Sequence, residues 1–366
     1  MSARSATAAV FTAPRRVELQ EFPLPETADD DGLLAVEAVG MCGSDWAQFE
    51  GRLGMAGAVF PVIPGHEIVG RIARAGSRAL RSWNVAEGDL VVVEEVLRCG
   101  SCHGCAAAAG SCANLRVYGL TVPTTSAPGL WGGYAQYMYL HPNTAMHRVP
   151  NGVHAQQAAL FVPLANGIRW AQHVARPRLG DVAVVQGPGQ QGLGCVVALR
   201  EAGVGLIIVT GTAGDATRLA LARELGADVT IDVDSENPLE RVRALTAGRL
   251  ADLVIDVSEG ATDPVGFAVD MVRPKGTVVL AGLKDGSAVS LVTDRIVLKQ
   301  LTLQGVGGHD SASVAAALRL IASGRYPLEK LCTHTLPLTE AERALALVGR
   351  QATGEEAIHV TLIPSR

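Results

Sequence analysis

The sequence has no apolar run approaching the roughly 20 residues that a membrane span requires. Its N-terminal stretch, MSARSATAAVFTAPRRV, is basic but lacks the apolar core of about 7–15 residues that marks a secretory signal. It has no basic block or stripe either: 31 Lys and Arg stand against 36 Asp and Glu, a formal charge of −5. That balance argues against nucleic acid or an anionic membrane as the main partner. Internal repeats and low-complexity tracts are missing, and only 18% of residues are charged. Together these absences lead to the expectation of a soluble, cytoplasmic protein.

What is there is long and apolar. A chain of 366 residues, 48% of them hydrophobic, can build two domains with separate cores and gives no sign of wholesale disorder. Seven cysteines are present. Cys99, Cys102, Cys105 and Cys112 crowd one short segment, while Cys42, Cys195 and Cys332 stand alone. In a cytosolic chain a tight cluster reads as metal binding before it reads as disulfides.

Up to about residue 155 the chain is a series of short β-like runs (LLAVEAVG, GRIARAG, DLVVVEEV, GYAQYMYL) punctuated by Gly, Pro and charged turns. This is the pattern of an irregular, mostly β domain. Past about Pro163, apolar strands such as DVAVVQG, LIIVTG, DVTIDV, ADLVIDVS and GTVVLAGL alternate with amphipathic helical stretches. That alternation specifies an α/β domain with a parallel, doubly wound sheet. Two further helical patterns, SVAAALRLIASG and LTEAERALALVG, precede a final strand, AIHVTLI.

Three motifs carry chemistry. In VVQGPGQQGLG, Gly187, Gly189 and Gly192 form G-x-G-x-x-G between an apolar strand and an apolar helix. Gly187 permits the tight turn, Gly189 the approach of a pyrophosphate, and Gly192 close helix–sheet packing, with the helix N-terminus attracting the anion. A bare tight turn would look the same, but the surrounding βαβ alternation favours a dinucleotide. The acidic residue that usually ends the next strand is replaced by Gly211 or Thr212. Its loss, with Arg218 nearby as a phosphate partner, leans the coenzyme toward NADP, against which Asp215 weighs. Gln191, Gly282 and Leu283 complete the expected coenzyme set.

The second motif is CGSCHGCAAAAGSC, whose four thiolates suit a closed, structural zinc site, with His103 facing solvent. The third is dispersed: MCGSDW supplies Cys42, Ser44 and Asp45, and PGHEIVG supplies His66 and Glu67. Each alone could be a turn. Together, Cys and His with a carboxylate suit a catalytic zinc that keeps one open position.

In order and spacing, C-G-S-D at 42–45, G-H-E-x-x-G at 65–70, the four-cysteine lobe and G-P-G-x-x-G resemble the zinc-containing medium-chain dehydrogenase/reductase family. The likeness is strongest to its polyol and threonine dehydrogenase branch, and covers essentially the whole chain. The resemblance implies a zinc-dependent, NAD(P)-linked alcohol dehydrogenase with two zinc ions per chain. One would be held by Cys42 and His66, with Glu67 a ligand or standing just behind them, and the other by Cys99, Cys102, Cys105 and Cys112. It implies that Ser44 meets the substrate oxygen and that Asp45 orients His66. It also implies a β-rich, barrel-like (GroES-like) catalytic domain from 1–163 and 304–366, a Rossmann domain at 164–303, an active site in the cleft between them, and a homodimer or homotetramer.

Two departures from the family pattern matter. Just ahead of the segment LAN, where a Cys, Asp or Glu ligand is common, this chain has Val162. Coordination number then promotes Glu67 to direct ligand. Two residues past C-G-S-D, where a relay histidine is common, it has Ala47. The proton would then leave through Ser44, the coenzyme ribose and water. The lobe is also one residue shorter before its last Cys. The missing histidine motivates one rival, an NAD(P)H-dependent reductase of activated C=C or C=N bonds. Val162 with Ala47 motivates another, a non-catalytic protein of dehydrogenase descent. Trp46, Phe60 and Trp131 are nominated to border the substrate, although aromatics are more often plain packing.

Overall fold

The computed structural model describes residues 5–106 and 112–364. Two compact units emerge: Met1–Phe161 with Leu331–Arg366, and Val162–Lys330.

The first unit is built mostly on antiparallel pairing, with Cys332–Pro337 and His359–Ile363 the parallel exception in its large sheet. A hairpin joins Ser5–Ala13 to Arg16–Pro23, and a seven-stranded sheet runs Cys332–Pro337, His359–Ile363, Gly32–Met41, Glu67–Ala75, Leu90–Val93 and Met146–Arg148, with Tyr137–Leu140 also against Gly32–Met41. Apolar side chains from these strands, among them Phe11, Leu34, Ile68, Val91, Met138 and Leu362, form one core. Trp131 belongs to that core rather than to a substrate wall: it is 3% exposed and packs on Tyr118 and Tyr139 with ring centroids 6.0 and 4.9 Å away.

The second unit carries six strands, every pair parallel, in the order Val229–Asp232, Leu206–Gly211, Val182–Gln186, Ala251–Asp256, Val272–Leu280, Thr302–Gly305. In chain order this is 3-2-1-4-5-6, the doubly wound Rossmann arrangement. Val182–Gln186 is buried along its whole length, as a strand covered on both faces must be, and this explains why it reads as continuous Val and Ala. Helix Pro238–Leu245 starts where Asn237 accepts from the Leu239 and Glu240 N–H groups and proline fills the first turn.

The boundary differs from the one drawn at residue 304, because residues 304–330 pack with this second unit. Thr302–Gly305 is its edge strand. Trp170 Nε1 donates to the Gly307 carbonyl at 2.7 Å, Arg169 pairs with Asp310 at 3.0 Å, and Arg325 and Tyr326 both reach Glu201. Among the described residues, no helix is long and apolar enough to cross a membrane.

Candidate metal centres and coenzyme turn

Three neighbouring strands of the first unit assemble the dispersed motif. Strand Gly32–Met41 ends just before Cys42, which caps helix Gly43–Phe49. On one side it pairs with Glu67–Ala75, putting Gly40 opposite Glu67; on the other it pairs with His359–Ile363, putting Gly40 opposite Thr361. Sheet register therefore brings Cys42, His66 and Glu67 together, each offering one ligand atom within 4.8 Å of the others. That spacing fits a tetrahedral ion whose bonds are about 2.0–2.3 Å long.

The side chains around these three are ordered by hydrogen bonds. Asp45, fully buried, accepts from the Cys42 N–H at 2.8 Å and stands 3.5 Å from His66 Nδ1. Ser44 Oγ lies 3.4 Å from His66 Nε2. Burial depresses the proton affinity of His66, but Asp45 and Cys42 outweigh it and hold its pKa well above the ordinary range. Asp45 thus fixes the imidazole through Nδ1 and leaves Nε2 toward Ser44.

The sequence reading missed the layer beneath Glu67. His359 is fully buried, and its Nε2 lies 3.1 Å from Glu67 Oε2. Burial lowers the His359 pKa, but the Cys332 thiol and the Glu67 carboxylate outweigh it and push it up to about 9. A Cβ at Gly40 would overlap the Glu67 carboxylate and come within 2.7 Å of His359 Nε2, so only glycine leaves room for the pair. The available signal was a histidine inside AIHVTLI, a strand whose last five residues, His359–Ile363, are all buried. A buried imidazole needs a polar partner, but the sequence does not say which.

The four cysteines of the lobe converge as expected. Cys99 Sγ lies 3.9 Å from Cys105 Sγ, the Cys99 N–H donates to Cys112 Sγ at 3.3 Å, and the Ala113 N–H to Cys102 Sγ at 3.4 Å. Backbone N–H groups of Ser101 and Cys102 bring the Cys99 thiol down to about 5. For Cys105 the Gly100 N–H acts downward, but burial and the neighbouring thiols prevail and push it up to about 11. Such N–H···S bonds favour thiolate, the form a zinc ion needs. His103 is exposed.

In the second unit, Gly187 has φ +100° and Gly189 caps helix Gln190–Glu201. A side chain at Gly192 would overlap the Gly187 carbonyl, so strand and helix meet here only through glycine. A helix N-terminus in this setting attracts anions. Gln191 Oε1 accepts from Asn166 at 3.1 Å. Beyond Gly211, the Thr212 N–H donates to Asp215 at 3.0 Å and the Ala213 N–H to Asp234 at 2.9 Å. Arg218 pairs with Asp215 at 3.5 Å. Gly282 packs on the Ser258 backbone, and Leu283, 59% exposed, accepts from the Gly260 N–H at 2.9 Å. Lys284, which sequence reasoning passed over, spans Asp256 at 2.9 Å and the Ser258 carbonyl at 2.5 Å.

Known proteins resemble the chain throughout. A family described as the alcohol dehydrogenase GroES-like domain matches residues 28–151, and one described as zinc-binding dehydrogenase matches residues 192–323. A probable alcohol dehydrogenase of Mycobacterium tuberculosis is 40% identical over 365 residues, 98% of each chain. An erythritol/L-threitol dehydrogenase of Mycolicibacterium smegmatis is 32% identical, covering 98% of this chain and 97% of that one. Among solved structures, an alcohol dehydrogenase of Thermotoga maritima superposes with a TM-score of 0.86 at 26% identity, covering 99% and 100%.

Proposed function

Because the chain belongs to the zinc-binding alcohol dehydrogenase family and is an oxidoreductase of alcohols or polyols, we propose that it works with two zinc ions and NAD. The first unit is the catalytic, zinc-binding domain and the second the coenzyme domain. The observation that carries this reading is the approach of the Cys42, His66 and Glu67 ligand atoms to within 4.8 Å, with Ser44 alongside.

Cys42, His66 and Glu67 are the ligands of the catalytic ion, and Cys99, Cys102, Cys105 and Cys112 those of a structural one. When bound, the catalytic zinc supplies a Lewis acid at the substrate oxygen, and the nicotinamide supplies the partner for hydride. Ser44 takes the proton of the substrate hydroxyl and passes it to solvent, since the buried Ala47 offers no carrier. Asp45 holds His66 in one orientation, and His359 braces the Glu67 carboxylate. Relatives named as alcohol and polyol dehydrogenases do not favour the C=C or C=N reductase or the non-catalytic reading.

The choice of NAD revises the lean to NADP. A 2′-phosphate would need the Thr212 and Ala213 N–H groups and the Arg218 guanidinium. Two carboxylates, Asp215 and Asp234, already engage all three and would repel it. The chain works as a homodimer or homotetramer, through edge strand Thr302–Gly305 and the exposed Val292, Val297 and Leu298 beside it, which are 58, 71 and 82% exposed. A cytoplasmic setting suits seven cysteines none of which is in a disulfide.

Zinc per chain, measured on the purified protein and on Cys42→Ala, tests the assignment. Two ions falling to one, with alcohol oxidation lost, is the expected result. One ion in both proteins would overturn it.

A further inference from the structure

The second unit carries a cavity that this chemistry does not use. It has a volume of about 320 Å³, and Arg176, Arg178, Asp181, Asp252, Arg273 and Lys275 lie in its wall. Arg176 and Arg178 precede strand Val182–Gln186, Asp252 stands at the beginning of Ala251–Asp256, and Arg273 and Lys275 at the beginning of Val272–Leu280. These strands are parallel, so the cavity lies at their N-terminal ends while the glycine turn lies past their C-terminal ends. At about 3.3 Å per residue, the two places are on the order of 15–20 Å apart.

The charges in the wall are unbalanced. Arg273 Nε donates to Asp252 at 2.6 Å, the Val182 N–H to the same carboxylate at 2.8 Å, and the Arg178 N–H to Asp181 at 2.7 Å. Four cations against two carboxylates leave two positive charges, on a chain whose overall charge is −5. Among the described residues, neither the Arg178 nor the Lys275 side chain enters an ion pair, and both are exposed. Independently, the backbone is strained here: Arg176 and Lys275, both cations of this wall, have φ +51° and +61°. Side-chain-bearing residues seldom adopt that region, so glycine in either place relaxes the backbone.

We propose that this cavity is a second anion site, taking a small phosphate-bearing molecule and separate from the coenzyme turn. Two guanidinium forks and an ammonium suit phosphate oxygens, and two net positive charges match a phosphate dianion. The volume sits at the lower end of small-molecule pockets, about 300–1,000 Å³.

Thermal unfolding titrated with inorganic pyrophosphate at constant ionic strength, with NADH saturating the glycine turn, tests the proposal. NADH alone raises the midpoint first; its failure to do so would count against the coenzyme reading and not against this one. Pyrophosphate then gives a further, saturable rise in the wild-type chain. The double variant Arg176→Gly/Lys275→Gly removes two cations and relieves both left-handed backbones, so it keeps its midpoint without ligand and its rate of alcohol oxidation. Its pyrophosphate affinity falls at least about tenfold, and Arg178→Gln weakens binding in the same sense. No saturable rise in the wild type, or equal affinity in the double variant, overturns the proposal.

Discussion

The two groups of side chains in the first unit that could each hold a metal ion are built in opposite ways. In the lobe, ligands come from one stretch of chain: Cys99 and Cys112, joined by an N–H···S bond, are 13 positions apart. In the other set, Glu67 and the His359 that braces it are 292 positions apart. The lobe closes its shell with sulfur and is half exposed, with backbone N–H groups supporting the thiolates. The dispersed set mixes sulfur, nitrogen and oxygen, stands beside the Ser44 hydroxyl, and rests on the buried Asp45 of helix Gly43–Phe49 and the buried His359 of a neighbouring strand. A shell closed with four like donors leaves no place for a substrate, whereas three mixed donors on a rigid sheet leave one. The first arrangement suits a structural ion and the second a reactive one.

The sharpest way to break this contrast is Ser44→Ala. The hydroxyl touches no part of the lobe's set and lies 3.4 Å from His66 Nε2. Its loss lowers kcat by about 10²–10³-fold, the range for removing one group that meets developing charge, while zinc content stays at the wild-type value. Steady-state kinetics with metal analysis on the same preparation checks both halves. A kcat within a few-fold of wild type would place the proton route elsewhere.

A smaller effect is expected from His359→Gln. The amide retains a hydrogen-bond donor toward Glu67 but loses the imidazole's shape and charge in a fully buried position. Altering a partner that orients a ligand weakens metal binding by about 10–100-fold. Competition with a chelator, followed ion by ion, shows one of the two zincs released more easily and the other unchanged. Equal loosening of both would mean that the variant disturbs the fold as a whole and that the two sites are not independent.

What could be read from the sequence follows the same division. Short-range grouping was legible: the four cysteines do come together, as do Cys42, His66 and Glu67, and Gly187, Gly189 and Gly192 do form a strand-to-helix turn, because residue type and short spacing carry that information. Partners supplied by sheet register were not. His359 meets Glu67 only because Gly32–Met41 lies between their strands, and Gly40 reads as an ordinary strand-end glycine until the overlap it avoids is seen. The surroundings of Gly211 were hidden for a related reason: Asp234 comes from the turn after the next strand, yet it takes the Ala213 N–H. That residues 304–330 pack with the second unit was not legible, because a helical pattern does not reveal which core it covers, and contacts with Arg169, Trp170 and Glu201 hold them there.

The least effect on catalysis, and the reverse of the Ser44 result, is expected for Cys102→Ser. A hydroxyl is a poor substitute for thiolate on zinc, so one ion per chain is lost and the lobe loses its cross-link. Residue Cys102 also accepts the Ala113 N–H at 3.4 Å, a contact that helps close the loop. Loss of a structural metal removes folding energy outright, and a cost of about 2–3 kcal/mol corresponds to a midpoint roughly 5–10 °C lower. The dispersed set keeps its ligands, its hydroxyl and its buried brace, all outside the lobe. Activity per folded molecule therefore stays within about twofold of wild type, since no group that meets developing charge has been removed. Calorimetry paired with activity measured well below the new midpoint separates the two effects. If activity fell in step with the lost zinc while the chain stayed folded, the lobe would be part of the catalytic apparatus and the division between the two sites would not hold.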